Sequence, residues 1–290
     1  MIYLVLSILM STLINVIFRL FNRFDIDNQQ AITFNYIVCV FTGLVTERKQ
    51  LQLNAINTSE TWFWLSLALG GLFILVFVGM AITARKDGIS VSVVASKMGV
   101  VFPVAFASFH LGEKLPPILI LGILLSITSV FLTSRKNLKV GVVTLTLIPI
   151  LVFIGSGTID TSLKLIETHL PTGVSESLPV MLIFASAGIL GLCILAVRLM
   201  SGRATWHVKH LIAGILLGIP NYFSIYFLFM ALRFDLMQTA QIFPVNNVGV
   251  VLFSTLLSVW FFREKLSKIN LLGLLLAVIS ILLISGMVAS

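Results

Sequence analysis

The stretch MAITARKDGISVSVVASKMGVVF, residues 80–102, has a near copy further along the chain, MALRFDLMQTAQIFPVNNVGVVL, residues 230–252. Placed in register, both copies run through the same GVV triplet, and Lys97 of the first falls on Asn247 of the second. After a one-residue slip the match resumes, with GEKL in one copy and REKL in the other, each followed by a long apolar run. The chain is therefore predicted to be duplicated, with Lys97 deep inside an apolar segment.

The composition points to a membrane protein. Hydrophobic residues make up 58% of the chain and charged residues only 10%, against roughly 45–50% and 25% in soluble domains. Apolar runs of about 20 residues, enough to cross a bilayer core of about 30 Å, recur along the sequence. The net charge of +8 fits loops that face anionic lipid headgroups better than a nucleic-acid interface.

Ten candidate helices follow from the apolar runs and the polar breaks between them. They span residues 1–21, 29–45, 62–84, 89–110, 116–134, 141–166, 178–200, 207–232, 236–262 and 268–289. The repetition pairs helices three to five with helices eight to ten, and this odd offset makes the two copies cross the membrane in opposite directions. We expect an all-α membrane protein of two inverted five-helix repeats, residues 1–140 and 141–290.

The distribution of lysine and arginine among the loops predicts how the protein is oriented in the membrane. The odd-numbered loops carry thirteen of the nineteen lysines and arginines: Arg19, Arg23, Arg85, Lys86, Arg135, Lys136, Lys139, Arg198, Arg203, Lys209, Arg263, Lys265 and Lys268. The even-numbered loops carry five, namely Arg48, Lys49, Lys114, Lys164 and Arg233. The positive-inside rule then puts the odd loops in the cytoplasm and both termini outside.

Lys97 is the clearest functional candidate. It lies about eight residues into its predicted helix, or about 12 Å deep. Facing lipid there, it would cost roughly 2.5–3.5 kcal/mol, so it should face a polar cavity. An ammonium at that depth can bind a substrate carboxylate or phosphate, or exchange a proton. The alternative is a lysine bound to helix carbonyls or to a carboxylate as a packing contact.

Other polar residues inside apolar helices are predicted to line the same cavity: Asn15, Ser96, Asn221, Tyr222, Tyr226, Gln241, Asn246 and Asn247. Pro244 lies among the last of these and frees a backbone carbonyl in helix nine. Any single one of them could instead form a helix–helix hydrogen bond, worth about 0.6 kcal/mol on average.

Asp160 is predicted to lie apart from Lys97. Counted from a helix start at residue 141, it is about 28 Å deep, roughly 16 Å from the level of Lys97. The surrounding TIDTS sequence favours an interfacial cap over a role in proton relay.

The sequence has no HExxH, GxSxG or Walker pattern and no cluster of His, Cys and carboxylate residues, so we expect neither an enzyme nor a bound cofactor or metal. Without ATP-binding motifs, uphill transport would have to draw on exchange or on a coupling ion such as a proton.

The repeated motif resembles a known family. HLGEKL at 110–115 and REKL at 263–266 occupy the same place in the two halves. With ten spans, this is similar to the EamA branch of the drug/metabolite transporter superfamily, which carries an LGE-basic-L signature in each half. Arg263 departs from that signature, where the family has glycine.

The resemblance implies a ten-helix inverted-repeat transporter whose members export or exchange amino acids and other small metabolites. It implies a central cavity lined by helices one, three, four, six, eight and nine. It also implies both termini in the cytoplasm, opposite to the orientation that loop charge predicts.

We therefore expect a secondary-active carrier of small amino-acid-like, anionic or zwitterionic solutes, integral to the bacterial inner membrane. Its expected partners are a small-molecule substrate, the lipid bilayer and a coupling ion, and not nucleic acid. One alternative is a multidrug or cation exporter, which Lys97 disfavours. Another is a non-transporting membrane enzyme or assembly factor, which would gather acid, base or metal residues at one interface.

Overall fold

The computed structural model describes residues 2–46, 58–103, 106, 117–133, 135–137, 143–145, 147–171, 174–175, 177–234, 239–263 and 266–287. Almost all of this part of the chain is helical. Its ten α-helices are α1 Ile2–Arg23, α2 Asn28–Thr46, α3 Thr61–Lys86, α4 Ile89–Lys97, α5 Pro117–Thr133, α6 Leu147–His169, α7 Ser177–Met200, α8 Val208–Phe234, α9 Thr239–Phe262 and α10 Lys268–Met287.

Six of these helices are long and apolar enough to cross a membrane: α1, α3, α6, α7, α8 and α9. Shorter apolar helices cover Ile89–Pro103, Ile120–Leu132 and Lys268–Leu283. Since a bilayer core about 30 Å thick needs about 20 apolar residues per span, the chain is an integral membrane protein that crosses the bilayer several times.

The first part of the predicted fourth helix is confirmed. Helix α4 spans Ile89–Lys97 and passes into a 3₁₀ turn, Met98–Val100, after which residues 101–103 are again helical. Most of the remainder of the predicted helix 89–110 lies outside the described residues.

The prediction that the sixth helix starts at residue 141 is wrong. A two-stranded antiparallel hairpin, β1 Arg135–Asn137 and β2 Val143–Leu145, precedes it, and α6 begins only at Leu147. The β2 segment VTL is rich in β-branched residues, which favour extended backbone over helix.

The helices pack against one another in defined pairs. Helix α3 packs against α6 and α7, and α8 packs against α1 and α2. Helix α4 contacts α6 and α9, α9 contacts α1, and α5 lies along α10. One apolar core fills the space among α1, α2, α3, α6, α7 and α8, and a second joins α4, α5, α9 and α10 to the start of α1.

Glycine permits the 3₁₀ turn that follows α4 to pack closely on α6. A Cβ atom at Gly99 would lie 2.6 Å from the backbone nitrogen of Gly157, and one at Gly157 would lie 2.8 Å from the carbonyl oxygen of Gly99. Backbone atoms cannot rotate away as a side chain can. The turn and α6 therefore pack at this distance only while both positions lack a side chain.

Polar contacts hold the helices together at the end of the bundle where the α1–α2, α3–α4 and α7–α8 connections meet. The Asp27 carboxylate caps α2 by accepting from the backbone N–H groups of Gln29 and Gln30 at 3.0 Å. It also accepts two hydrogen bonds from the Arg198 guanidinium at 2.9 and 3.2 Å. From α1, Arg19 donates to the carbonyls of Ala84 and Arg85 at the end of α3.

These contacts shift the ionisation of Asp27. Its partial burial acts to raise the pKa of the carboxyl group, but the Arg198 guanidinium and the two backbone N–H donors outweigh burial and hold the pKa below its usual 3.8. The ionised form is thus stabilised by folding, and that contribution is lost as the pH falls through the lowered pKa.

We predict that Gly99→Ala lowers the free energy of unfolding by about 1–3 kcal/mol, because the added methyl group forces the 3₁₀ turn after α4 away from α6. Gly71→Ala is the matched control. Its Cβ would meet only Leu190 Cδ1 at 3.5 Å, and replacing glycine within a helix should stabilise by up to about 1 kcal/mol. Thermal unfolding of both variants in detergent measures the contrast, and equal effects would contradict the close contact.

Replacing Asp27 with Asn should lower the free energy of unfolding by about 1–3 kcal/mol, because it removes a hydrogen-bonded charge from Arg198. The difference between the wild type and Asp27→Asn should hold above about pH 5 and shrink as the pH falls below 3.8, where the wild-type carboxylate also becomes protonated. Asp25→Asn, at a carboxylate that is 89% exposed, serves as the control. A difference unchanged down to pH 3 would exclude the ion pair as its source.

Candidate functional site

A cavity of about 120 Å³ lies in the interior of the bundle, among α1, α3, α4, α6, α8 and α9. These are the six helices that the family resemblance implies. Its polar lining consists of Ser11, Asn15, Ser96, Lys97, Ser156, Asp160, Asn221, Ser224 and Asn246. Its apolar lining consists of Ile14, Phe73, Val76, Phe77, Met80, Ile159, Leu163, Ile225 and Leu228.

Lys97 and Asp160 line this cavity together. They are its two ionisable lining residues, and they carry opposite charges. The prediction that Asp160 lies at a separate level as an interfacial cap is therefore wrong. Facing one cavity, the ammonium and the carboxylate compensate each other in a region of low dielectric constant, where either charge alone would be costly.

The error came from the predicted start of the sixth helix. Counted from Leu147, Asp160 lies about 20 Å along α6 instead of about 28 Å, which removes half of the predicted gap to Lys97. The TIDTS segment is continuous helix, because α6 runs from Leu147 to His169. The hydroxyl groups of Thr158 and Thr161 donate to the carbonyls of Ile154 and Gly157, each four residues earlier. The Gly99–Gly157 contact then holds the two charged residues close together, because each lies within three positions of one glycine.

The cavity carries two unsatisfied acceptors. Asn15 donates from Nδ2 to the Ser11 carbonyl at 2.9 Å, while its Oδ1 is buried and accepts no hydrogen bond within the described part of the chain. Oδ1 of Asn246 is likewise buried without a partner among the described residues. Buried amide oxygens are usually satisfied, so these two are suited to a ligand that brings N–H or O–H donors.

Asn221 is positioned from behind by residues that sequence reasoning did not assign to the site. Its Nδ2 donates at 3.1 Å to Oδ1 of Asn35 on α2. The same oxygen accepts from the Cys39 thiol at 3.7 Å, and that thiol also lies 3.3 Å from the Gly218 carbonyl. All of these side chains are buried, so the orientation of the Asn221 amide is fixed.

Tyr222 and Tyr226 do not line the cavity, contrary to prediction. Along α8, the cavity-lining positions are 221, 224, 225 and 228, which share one helical face. The tyrosines project from a neighbouring face. Their rings stack on each other at 5.7 Å between centroids, and Tyr222 is fully buried in the larger core.

Asn247 also lies outside the cavity lining. Its Nδ2 donates to the backbone carbonyl of Lys97 at 3.2 Å, where α4 gives way to the 3₁₀ turn. The side chain therefore ties α9 to the end of α4. Gln241 belongs to α9, but its side chain lies outside the described residues.

Four polar lining residues went unassigned in the sequence: Ser11, Ser156, Asp160 and Ser224. Spacing along the helix was an available signal for two of them, because Ser11 lies four residues before Asn15 and Ser224 lies three residues after Asn221. Asp160 was detectable as an ionisable residue inside an apolar helix. The arrangement is suited to binding, because opposite charges and fixed amides face an apolar wall.

No protein-family model matches the sequence. An uncharacterized protein of Haemophilus influenzae (strain ATCC 51907 / DSM 11121 / KW20 / Rd) is 28% identical over 291 residues, which cover 96% of this chain and 95% of that protein. One solved crystal structure of a protein superposes with a TM-score of 0.61 at 14% identity, covering 97% of this chain and 96% of that one. This likeness extends through the whole fold.

The shared cavity predicts energetic coupling between Lys97 and Asp160. Lys97→Met or Asp160→Asn alone leaves one charge uncompensated, while the double variant removes both. In a double-mutant cycle measured by unfolding in detergent, the double variant should lose less than the sum of the single losses, by roughly 0.5–3 kcal/mol. Additive losses would mean that the two charges do not interact.

Proposed function

We propose that this protein is a secondary-active transporter of small zwitterionic, amino-acid-like metabolites, working by alternating access around the central cavity in the bacterial inner membrane. The observation that carries the proposal is the placement of Lys97 and Asp160 in the same interior cavity. The lysine would bind a carboxylate of the solute, and Asp160 would bind its ammonium group.

Charge balance favours a zwitterion over an anion. The two ionisable lining residues sum to zero, so a ligand with one positive and one negative group leaves the cavity neutral. An anion that paired with Lys97 would leave the Asp160 charge uncompensated in low dielectric. Neutrality would then require a proton on Asp160, which is how a proton could couple to the transport of an anionic solute.

The unsatisfied oxygens and the cavity size narrow the solute further. An ammonium group supplies three N–H donors, enough for Asp160 together with Oδ1 of Asn15 and Oδ1 of Asn246. The cavity volume is about 120 Å³. This space and the aliphatic and aromatic wall favour a small solute with a compact apolar side chain.

The packing pattern supports two inverted repeats. Advancing every helix by five converts the contacts of α3 with α6 and α7 into those of α8 with α1 and α2, and the contact of α4 with α6 into that of α9 with α1. The contacting pairs α2 and α7, α4 and α9, and α5 and α10 each join a helix to its own counterpart. Such a pattern is expected of two halves related by a two-fold axis.

Contacts of individual residues are also consistent with a two-fold axis between the two halves. Asn247, the sequence counterpart of Lys97 and 150 residues away, contacts the Lys97 carbonyl directly, as equivalent positions near a two-fold axis do. Gly99 meets α6 at Gly157, and its counterpart Gly249 meets α1 at Ile8. With the duplicated EKL motif, this architecture favours membership of the EamA-like branch of the drug/metabolite transporters.

A second candidate is an exporter of organic cations. Asp160 and the free acceptors of Asn15 and Asn246 would suit a cation, while Lys97 would repel one. The two candidates differ in whether Lys97 contributes to binding.

A thermal-shift screen of the purified protein in detergent separates the candidates. The panel contains amino acids, organic acids, sugar phosphates, nucleobases and cationic drugs. We expect a small amino acid at 100 times its Kd to stabilise the wild type by about 2.7 kcal/mol. Lys97→Met and Asp160→Asn should each abolish this shift, because each removes one half of the charge recognition.

Tyr226→Phe is the matched control, since Tyr226 lies on α8 beside the cavity face but does not line it; it should retain the full shift. Stabilisation by cations that survives Lys97→Met would favour the exporter. Stabilisation by no compound in a folded wild-type protein would count against transport of these solute classes.

A further inference from the structure

A second cavity, of about 390 Å³, lies at the end of the bundle formed by the α1–α2 loop, the end of α3 and the α7–α8 loop. It shares no lining residue with the central cavity. Its lining is mostly polar and includes the charged residues Asp25, Asp27, Arg85, Arg203 and Lys209.

Positive charge predominates in this second cavity. The Asp27 carboxylate is already bound by Arg198 at 2.9 Å, so its charge is compensated from outside the lining. Asp25 is the other carboxylate, and it lies 3.8 Å from both Arg85 and Lys209 while 89% exposed. Three cations from three separate elements therefore face one weakly held carboxylate, which suits an incoming anion.

A buried imidazole adds a directed donor. His210 lines the cavity and is only 4% exposed. Its Nδ1 accepts a hydrogen bond from the Asp27 backbone N–H at 3.2 Å, so the ring proton of the neutral side chain must be on Nε2. His210 and Lys209 also lie in the first turn of α8, a 27-residue helix, where the helix dipole favours negative charge.

The lining also contains one hydrogen-bond acceptor that a ligand with a donor would satisfy. Gln30 is 1% exposed and lines the cavity. Its Nε2 donates to the Thr205 carbonyl at 3.0 Å, but its Oε1 is buried with no partner within the described ranges. An inorganic anion without a hydroxyl or amine leaves this acceptor unsatisfied.

Exposed aromatic side chains lie beside this cavity. Trp206 lies in the chain between the cavity residues Thr205 and His207, is 52% exposed and meets Phe34 edge-on at 5.3 Å between centroids. Phe24, next to Asp25, is 61% exposed. Tryptophan and basic residues together are typical of the membrane–water interface.

We propose that this cavity binds the headgroup of an anionic phospholipid whose phosphodiester is followed by a hydroxyl-bearing group, as in phosphatidylglycerol. The phosphate oxygens would accept from Arg85, Arg203, Lys209 and the His210 imidazole. The headgroup hydroxyl would donate to Oε1 of Gln30. The bound lipid would link α3, α7 and α8 at this end of the bundle.

Native mass spectrometry of the delipidated, detergent-solubilised protein tests the proposal. Phosphatidylglycerol, phosphatidylcholine with the same acyl chains, and inorganic phosphate are each titrated, and the bound fraction is counted. We expect phosphatidylglycerol to bind at least tenfold more tightly than phosphatidylcholine. Arg203→Ala and Lys209→Ala should each weaken phosphatidylglycerol binding about tenfold, because each removes a charge-assisted hydrogen bond.

Arg23→Ala is the control. Arg23 ends α1 at the same end of the bundle and loses the same charge on substitution, but it does not line the cavity; its binding should change less than twofold. Equal loss in Arg23→Ala would show general surface attraction and overturn the site. Equal binding of the two lipids would overturn the headgroup assignment, and displacement of phosphatidylglycerol by inorganic phosphate would reassign the site to free phosphate.

Discussion

The structure depends on how two opposite charges are accommodated inside an apolar bundle. A lysine or a carboxylate alone at this depth would be expensive in hydrocarbon. Lys97 and Asp160 avoid that cost because they line the same cavity, beside the close contact between Gly99, in the turn after α4, and Gly157 on α6. The small residues at this contact and the charged residues beside it therefore form one unit.

Amide groups around the cavity further fix the positions of its lining residues. Asn35 and Cys39 on α2 hold Asn221 in place, and Asn247 holds the backbone at Lys97. These second-layer contacts leave the cavity with few freely rotating polar groups. A fixed set of donors and acceptors gives binding specificity because little ordering is needed when a ligand enters.

Much of the fold could be predicted from the sequence, because apolar length and polar breaks report directly on membrane helices. The ten helices, their order and the interior position of Lys97 followed from these patterns. The start of α6 did not, since the VTL segment before it is as apolar as a helix and differs only in its β-branched residues. Because the predicted start of α6 was six residues too early, Asp160 was predicted at the wrong depth and its shared cavity with Lys97 was missed.

Part of the cavity lining could also be predicted from the sequence. Asn15, Ser96, Lys97, Asn221 and Asn246 line the cavity, since polar residues within apolar helices tend to face polar space. Tyr222 and Asn247 are also polar residues within apolar helices, but Tyr222 packs in the larger core and Asn247 donates to the Lys97 carbonyl. The sequence does not reveal rotation about the helix axis to within one residue, and one residue is a turn of about 100°.

Exchange in proteoliposomes is the most direct test of the proposal that one cavity recognises both ends of a zwitterion. Vesicles preloaded with valine would be challenged with radiolabelled valine, with its decarboxylated analogue isobutylamine or with its deaminated analogue 3-methylbutanoate. We expect protein-dependent exchange of valine and at least tenfold slower exchange of either analogue. Exchange of isobutylamine as fast as that of valine would contradict the proposal, because recognition would then not involve Lys97.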